Sequence, residues 1–304
     1  MTTLLAALHR IWSEGRPVER ACYVLSAVLL AGGLFHVAFM LLTGASWTGP
    51  LSLRKAATFG LSFGLTVASV AWAASYLRMR AAVRAGLLGL FAVTSLVEVT
   101  LVSMQAWRGV PSHFNFETPF DTAVSMTLAA GGGAIVLVGI TLTAVAIRGA
   151  QALPRSMRLA VRSGLVVFLV ALATGAVMIA DGVLEVRAGR PQLAYDTAGS
   201  LKPLHAVAMH AVLVLPAIAW LFALAPWEER SRLAVMRVAV LADLVLTAVV
   251  GVEAFADISP LAPPPLLGLL SGGAALVLLG AALTGFRAVV ARNPVSAGPV
   301  LSRR

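Results

Sequence analysis

The chain has 304 residues, of which 59% are apolar and 12% charged, and its mean hydropathy is +0.91. A soluble globular domain does not reach this composition, so the sequence predicts an integral protein of the lipid bilayer. The net charge of +10 does not indicate nucleic-acid binding, because the basic residues lie between apolar runs and do not gather beside aromatic residues.

Eight apolar segments follow one another along the chain, and each is long enough to cross a bilayer as a helix of about 20 residues. They are too long and continuous for the alternating strands of a membrane β-barrel. The sequence therefore predicts an all-α, polytopic bundle of about eight transmembrane helices. The segments are residues 21–43, 56–77, 85–107, 122–147, 163–186, 203–225, 235–256 and 263–286.

Lysine and arginine are divided unequally between the two sides of this bundle. When successive segments alternate in direction, 17 of the 23 basic residues fall on one side and six on the other. The positive-inside rule places the arginine-rich side in the cytoplasm. We therefore expect a plasma-membrane protein with a cytoplasmic segment at 1–20, a transmembrane domain at 21–287 and a cytoplasmic tail at 288–304.

The first segment contains the only cysteine, Cys22. A single cysteine excludes an intrachain disulfide, a thiolate zinc cluster and a CxxC redox motif. The segment lacks a convincing small-residue cleavage site and is long enough to span, so we expect an uncleaved helix rather than a signal peptide.

Ionisable and amide side chains within the segments lie mostly toward the arginine-poor side, which is the predicted outer side. Such groups are costly in a bilayer and by default indicate function. Helical spacing places Gln105 on the same face as Glu98, and Glu185 on the same face as Asp181. The full set is His36, Glu98, Gln105, Asp121, Asp181, Glu185, His205, His210 and Glu253.

The external loop at 105–121 combines an amide, a cation, a hydroxyl, an imidazole, carboxylates and four aromatic rings. This composition suits a loop that folds back over the mouth of the bundle. It equally suits an interfacial loop whose aromatic residues Trp107, Phe114 and Phe116 lie in the headgroup region. Both interpretations stay open at this point.

Four of the five histidines lie on the arginine-poor side, and imidazole is a good ligand for iron, copper and zinc. This distribution favours a haem b or transition-metal site with His36, His205 and His210 as ligands. Glu98 and His113 would act as proton acceptors or alternative ligands, and Gln105 and Asn115 would orient them. The alternative for each histidine is a buried imidazole that bonds across a helix interface.

The spacing of the histidines limits this hypothesis. His205 and His210 are five residues apart, which on a helix separates them by roughly 140 degrees, so they do not form the i, i+4 pair of a helix-borne zinc site. His36 and His210 lie at comparable depth, which makes an axial pair around haem possible.

Three further features admit two interpretations each. Asp243 lies toward the arginine-rich side, where it either pairs with Arg237 or forms one step of a proton path that includes Asp181, Glu185 and Glu253. The glycines at 131–133 favour close helix packing over a ligand loop. The basic residues that start two segments, Arg54, Lys55 and Lys202, are either snorkelling anchors or counter-charges for the carboxylates.

Three stretches resemble motifs of a family of uncharacterised multipass bacterial membrane proteins. They are Gln105-x-x-Arg108-Gly109-x-x-Ser112-His113-Phe114-Asn115, His205-x-x-x-x-His210-Ala211-x-x-x-Leu215-Pro216, and Arg54-Lys55-x-x-Thr58-Phe59-Gly60-Leu61-Ser62-Phe63-Gly64. The resemblance implies a multipass membrane protein and supplies no activity.

These observations lead to one primary functional hypothesis and two alternatives. The primary hypothesis is haem- or metal-dependent redox or electron transfer, with a quinone, a redox protein or a small molecule as partner. The first alternative is a proton-coupled carrier in which Glu98, Asp181 and Glu253 carry protons, and the second is a structural or assembly subunit. No soluble-enzyme motif such as HExxH, GxSxG or a Walker sequence occurs, and the sequence indicates no oligomeric state.

Overall fold

A computed structural model describes residues 2–49, 51–149, 153–194 and 199–291 of the protein. Within these ranges the chain forms ten helices and no strand. The helices are α1 (Thr2–Ser13), α2 (Pro17–Thr43), α3 (Arg54–Ser75), α4 (Ala81–Trp107), α5 (Pro119–Arg148), α6 (Arg155–Arg187), α7 (Pro191–Ala194), α8 (Lys202–Leu224), α9 (Glu229–Phe255) and α10 (Pro265–Val290).

Eight of the described helices, α2–α6 and α8–α10, are long and apolar enough to cross a membrane. The prediction of an all-α polytopic bundle is therefore confirmed, and the protein is a multipass membrane protein. Most helices extend beyond the apolar segments, as at α6, which begins at Arg155 rather than at residue 163. Backbone hydrogen bonding continues into the polar flanks, where long basic side chains reach the interface.

Helix α1 was not predicted from the sequence. It is a 12-residue helix in the segment that precedes the first span, and Leu5, Leu8 and Trp12 are exposed along one side of it. Only three residues separate its end at Ser13 from the start of α2 at Pro17. The cytoplasmic segment expected at 1–20 therefore contains a helix and the first turn of α2.

Small residues set the packing between the helices. Gly33 of α2 lies against Gly60 of α3, where a methyl group added to Gly60 would be 2.7 Å from the Gly33 Cα. The Ser26 hydroxyl donates a 2.5 Å hydrogen bond to the Gly64 carbonyl one turn further along. Without a strong hydrophobic drive between helices in lipid, such close approach supplies the association energy.

A small residue also allows close packing of α6 on α8, where Gly164 lies against the backbone of Ala211.

The helices differ in how much of their apolar stretch is buried. In α3, 61% of the residues of this stretch are buried, compared with 11% in α10. Helix α3 packs on α2, α4 and α8. Helix α3 is therefore central in the bundle and α10 is peripheral.

Two polar clusters, one buried and one partly buried, hold the arginine-rich end together. Arg84 of α4 reaches Glu19 of α2 at 3.3 Å, and it also donates to the carbonyls of Ala74 and Leu77 at the end of α3. On the other side of the bundle, the Glu229 carboxylate of α9 accepts hydrogen bonds from the backbone and hydroxyl of Ser156 at 2.7 and 3.1 Å. The contacts of Arg84 show that the start of α2, the end of α3 and the start of α4 lie on one side of the bundle, as expected when successive spans alternate in direction.

Candidate functional site

One buried face of α4 carries Ser95, Glu98 and Gln105. Ser95, Glu98, Val102 and Gln105 follow each other at intervals of three and four residues, and all are buried. The predicted shared face of Glu98 and Gln105 is therefore confirmed. Spacing of this kind places side chains above one another along a helix.

Glu98 is a buried carboxylate that accepts no hydrogen bond from any described residue. It is 4% exposed and points at Gly131 of α5, where an added methyl group would lie 2.8 Å from Glu98 Oε1. Gly131 therefore makes room for a side chain, whereas methyl groups added to Gly132 and Gly133 would meet no atom within 4 Å. The close helix packing that the sequence favoured for the glycines at 131–133 is therefore not seen, because Gly131 faces a side chain and the other two face open space.

Lys55 lies beside the imidazole of His113. Its Nζ is 3.4 Å from His113 Nδ1, and the Ser112 hydroxyl is 3.0 Å from the same nitrogen. Burial, followed by the nearby positive charge of Lys55, holds the pKa of His113 well below its ordinary range. The imidazole is therefore neutral, so its Nδ1 can accept a hydrogen bond from the Lys55 ammonium or the Ser112 hydroxyl.

Two other charged groups lie within electrostatic range of Lys55, which are Glu98 and the exposed Lys202 at the start of α8. Neither comes within 4.0 Å of the Lys55 ammonium, which forms no ion pair among the described residues. The sequence predicted that Lys55 is either a snorkelling anchor or a counter-charge for a carboxylate. In the structure Lys55 lies near the Glu98 carboxylate without contacting it.

The segment at 108–118 folds inward between the ends of α4 and α5. The backbone N–H of Asn115 donates to the Ser125 hydroxyl at 3.1 Å, and that hydroxyl donates to the Asn115 carbonyl at 3.0 Å. Phe114, with a φ of 61°, places its ring where Gly182 of α6 has no side chain. Asn115 is 1% exposed, and its Nδ2 has no hydrogen-bond partner in the described part of the chain.

A polar network fastens this segment at both ends. The Asp121 carboxylate accepts hydrogen bonds from Gln105 at 2.8 Å, Arg108 at 2.6 Å and the Thr118 hydroxyl at 2.6 Å. Thr118 also caps α5 by accepting from the Asp121 backbone N–H at 3.0 Å. Gln105, predicted to orient a cofactor ligand, here orients Asp121.

Some residues of the 105–121 loop fit the interpretation that it folds over the bundle mouth, and others fit the interpretation that it lies in the headgroup region. Ser112 and Asn115 are buried, as expected of a loop that folds over the bundle mouth. Trp107, Phe116 and Phe120 are 50%, 43% and 53% exposed, as expected of a headgroup belt. Phe114, expected in that belt, packs against α6 instead.

His36 is engaged at both ring nitrogens. Its Nδ1 donates to the Gly32 carbonyl at 2.7 Å, and its Nε2 accepts from the Trp107 indole N–H at 3.1 Å. These bonds fix the neutral tautomer with the proton on Nδ1 and leave no lone pair for a metal. His36 thus links α2 to α4. This contact is the alternative given above for each histidine, a buried imidazole that bonds across a helix interface.

His205 and His210 each bond a backbone carbonyl through Nδ1. His205 reaches Ala171 of α6 at 2.8 Å, and His210 reaches Ala206 of its own helix at 2.6 Å. In the ranges that the structure covers, no three His, Cys, Asp or Glu side chains are grouped so that they could hold a metal ion. The haem b or transition-metal hypothesis gains no support from this arrangement and stays a prediction.

The acidic residues proposed for a proton path occupy different environments. Asp181 is half-buried, and Glu185 forms a 2.7 Å ion pair with Arg190 that holds the pKa of Arg190 above its ordinary value. Asp243 does not pair with Arg237, which is exposed.

Three oxygens along α9 are buried without a hydrogen-bond partner among the described residues. They belong to the side chains of Asp243, Thr247 and Glu253. Asp243 and Thr247 lie one helical turn apart, and Glu253 lies near the arginine-poor end of the helix. The proton-path role of these residues stays a prediction.

Sequence reasoning missed two parts of the site and the Glu19–Arg84 pair. Gly131 gave no signal of its function, because a glycine in an apolar span also suits helix packing. Ser125 is one of many hydroxyls in the spans, and nothing in its spacing distinguishes it. The pair at Glu19 could have been found from a lone carboxylate at the start of an arginine-flanked span.

Ion pairs occur at both ends of the bundle. At the arginine-poor end, Lys55 and Glu98 form no ion pair, and the Nδ2 of Asn115 is buried without a hydrogen-bond partner among the described residues. Comparison with known protein families, curated proteins and solved structures gave no significant match to this chain.

Proposed function

We propose that this protein is a proton-coupled carrier of a small molecule. Its binding site lies at the arginine-poor end, where α3, α4, α5 and the 108–118 segment meet. The orientation that we propose places this end outside the cytoplasm, as the distribution of arginine favours. Glu98 carries the proton, and Lys55 and His113 contact the transported molecule.

The observation that carries this proposal is the environment of Glu98. It is buried in a membrane span, it receives no hydrogen bond from a described residue, and a glycine on α5 makes room for it. A carboxylate that served only stability would be hydrogen-bonded, because an unsatisfied buried charge is costly. Intramembrane acids of this kind typically mark ion pathways and proton relays.

The depth of Glu98 also supports a carrier. It lies nine residues before the end of α4 at Trp107. At about 1.5 Å per residue this is roughly 13 Å along the axis, close to half the ~30 Å hydrocarbon core. Secondary transporters bind their substrates near the bilayer midplane.

The 108–118 segment suits the control of access to such a site. It is fastened at both ends by the Gln105–Arg108–Asp121 network, and Ser125 holds its centre. Closure by a fastened loop sequesters a bound molecule from water, and its release is then a conformational step.

The experiment is proton flux into proteoliposomes that contain a pH-sensitive dye. The purified full-length protein is reconstituted, and a panel of short-chain carboxylates, amino acids and neutral sugars is added outside in turn. We expect at least one solute class to acidify the lumen and Glu98→Gln to abolish this. The matched control is Glu14→Gln, which neutralises an exposed carboxylate at the arginine-rich end and should retain flux.

Two outcomes would contradict the proposal. One is that no solute moves protons in wild-type vesicles, and the other is that Glu98→Gln transports as well as wild type. Elemental mass spectrometry addresses the redox alternative on the same preparation. Near-stoichiometric iron, copper or zinc that is lost from a His36→Ala, His210→Ala double variant would establish a metal site and overturn the carrier proposal.

A further inference from the structure

The charges that act on Lys55 do not balance among the described residues. Lys55 and Lys202 supply two positive charges, and Glu98 is the one described carboxylate within electrostatic range of Lys55. His113 contacts Lys55 but is neutral, and Glu98 lies against Gly131 of α5. A buried or partly buried ammonium without a contacting anion is costly, so the site favours an incoming negative charge.

A fixed hydrogen-bond donor accompanies this positive charge. The Asn115 side chain accepts a 3.1 Å hydrogen bond from the Glu117 backbone N–H through its Oδ1. That bond turns Nδ2 the other way, where it is buried without a partner. Asn115 lies two residues after His113 on the same inward segment, so this segment brings an amide donor to the same end of the bundle as the Lys55 ammonium, and a carboxylate can accept from both kinds of donor.

Aromatic rings adjoin these polar groups. The Phe59 ring centroid lies 5.9 Å from that of His113 and 6.0 Å from Lys55 Nζ. Phe63 packs on Phe59 with 5.6 Å between the centroids. A site with a few placed polar groups and an aromatic wall suits a ligand with an anionic head and an apolar body.

We propose that the ligand is a small carboxylate and that each molecule binds together with one proton, which goes to the Glu98 carboxylate. This inference rests on the proposed carrier function and names its substrate class. While Glu98 is ionised, it competes with the ligand for the positive field of Lys55. Binding of the anion therefore favours protonation of Glu98, and by linkage protonation of Glu98 favours binding of the anion.

The balance of this step is simple. The carboxylate binds unchanged, one proton from the same side forms the O–H bond of Glu98, and both are released on the other side. No other bond forms or breaks. The loaded site has the same net charge as the empty site with Glu98 ionised, so the ligand and proton cross as an electrically neutral pair.

The test is isothermal titration calorimetry of the full-length protein in detergent with benzoate, acetate and benzamide as probes. Benzamide is the uncharged analogue of benzoate. Titrations in two buffers of different ionisation enthalpy give the number of protons taken up. At a pH where Glu98 is ionised in the unliganded protein, we expect benzoate to bind with uptake of about one proton. Benzamide should bind at least about tenfold more weakly, a difference of ~1.4 kcal/mol.

The variants separate the roles of the charged groups. Glu98→Gln should still bind benzoate, without proton uptake and with an affinity that no longer falls as the pH rises. Lys55→Gln should weaken benzoate binding at least about tenfold. Lys55→Arg, which keeps the charge, should retain binding and guards against a folding defect. Glu14→Gln, at the exposed arginine-rich end, should behave as wild type.

Several results would overturn the inference. These are equal affinity for benzamide and benzoate, unchanged proton uptake in Glu98→Gln, and unchanged affinity in Lys55→Gln. Failure of both benzoate and acetate to bind would do the same. The carrier proposal fails separately: carboxylate binding with proton uptake but no vesicle transport contradicts only the carrier, whereas proton flux with a neutral sugar and no carboxylate binding contradicts only the substrate class.

Discussion

Replacement of Arg84 by methionine should destabilise the bundle through its arginine-rich end. Arg84 is 2% exposed and Glu19 is 1% exposed, so the change leaves a buried carboxylate without its interior partner. It also removes the donors to the Ala74 and Leu77 carbonyls. Breaking a buried ion pair from one side costs about 3–5 kcal/mol, and we expect about 3 because Arg16 still donates to Glu19.

The free energy of unfolding can be measured by titrating SDS into mixed micelles and following tryptophan fluorescence. The double variant Glu19→Gln, Arg84→Met removes the buried charge together with its partner, so it should recover ~1–2 kcal/mol of the loss. Arg80→Met, at an exposed position near the same helix start, should stay within about 0.5 kcal/mol of wild type. A loss below about 1 kcal/mol in Arg84→Met, or a double variant no more stable than the single one, would refute this reasoning.

Three further predictions concern the helix contacts and the candidate site. Gly60→Ala places a methyl group 2.7 Å from the backbone of α2 and should lower the free energy of unfolding by about 2 kcal/mol, whereas Gly32→Ala, which meets no atom within 4 Å, should not. Gly131→Ala should displace the flexible carboxylate of Glu98 and so reduce the proton uptake that accompanies benzoate binding. The free energy of unfolding should change by less than about 0.5 kcal/mol. Unchanged proton uptake would contradict the contact between Gly131 and Glu98. Because burial holds the pKa of His113 below its ordinary 6.5, the unfolded chain binds a proton there that the folded chain does not, and SDS titrations should show stability falling as the pH drops below 6.5. His113→Asn should flatten this dependence, and an equal pH slope in that variant would show that another group is responsible.

The sequence by itself determined the spans, their number and the face of α4 that turns inward. The physical reason is that lipid leaves a backbone no alternative to internal hydrogen bonding, so each span appears as an uninterrupted apolar run of about 20 residues. The period of the helix then places Glu98 and Gln105 on one face without reference to any other helix. Hydropathy did not indicate α1, because it is too short to span and amphipathic.

The tertiary structure alone decided which groups meet at the arginine-poor end. Contacts such as His36 with Trp107 and Lys55 with His113 join residues 71 and 58 positions apart. Hydropathy fixes how deep a side chain lies along its own helix, but not the helix that it faces. That choice depends on close approach at small residues such as Gly60 and on inward folding of the 108–118 segment, and both are properties of the packed bundle.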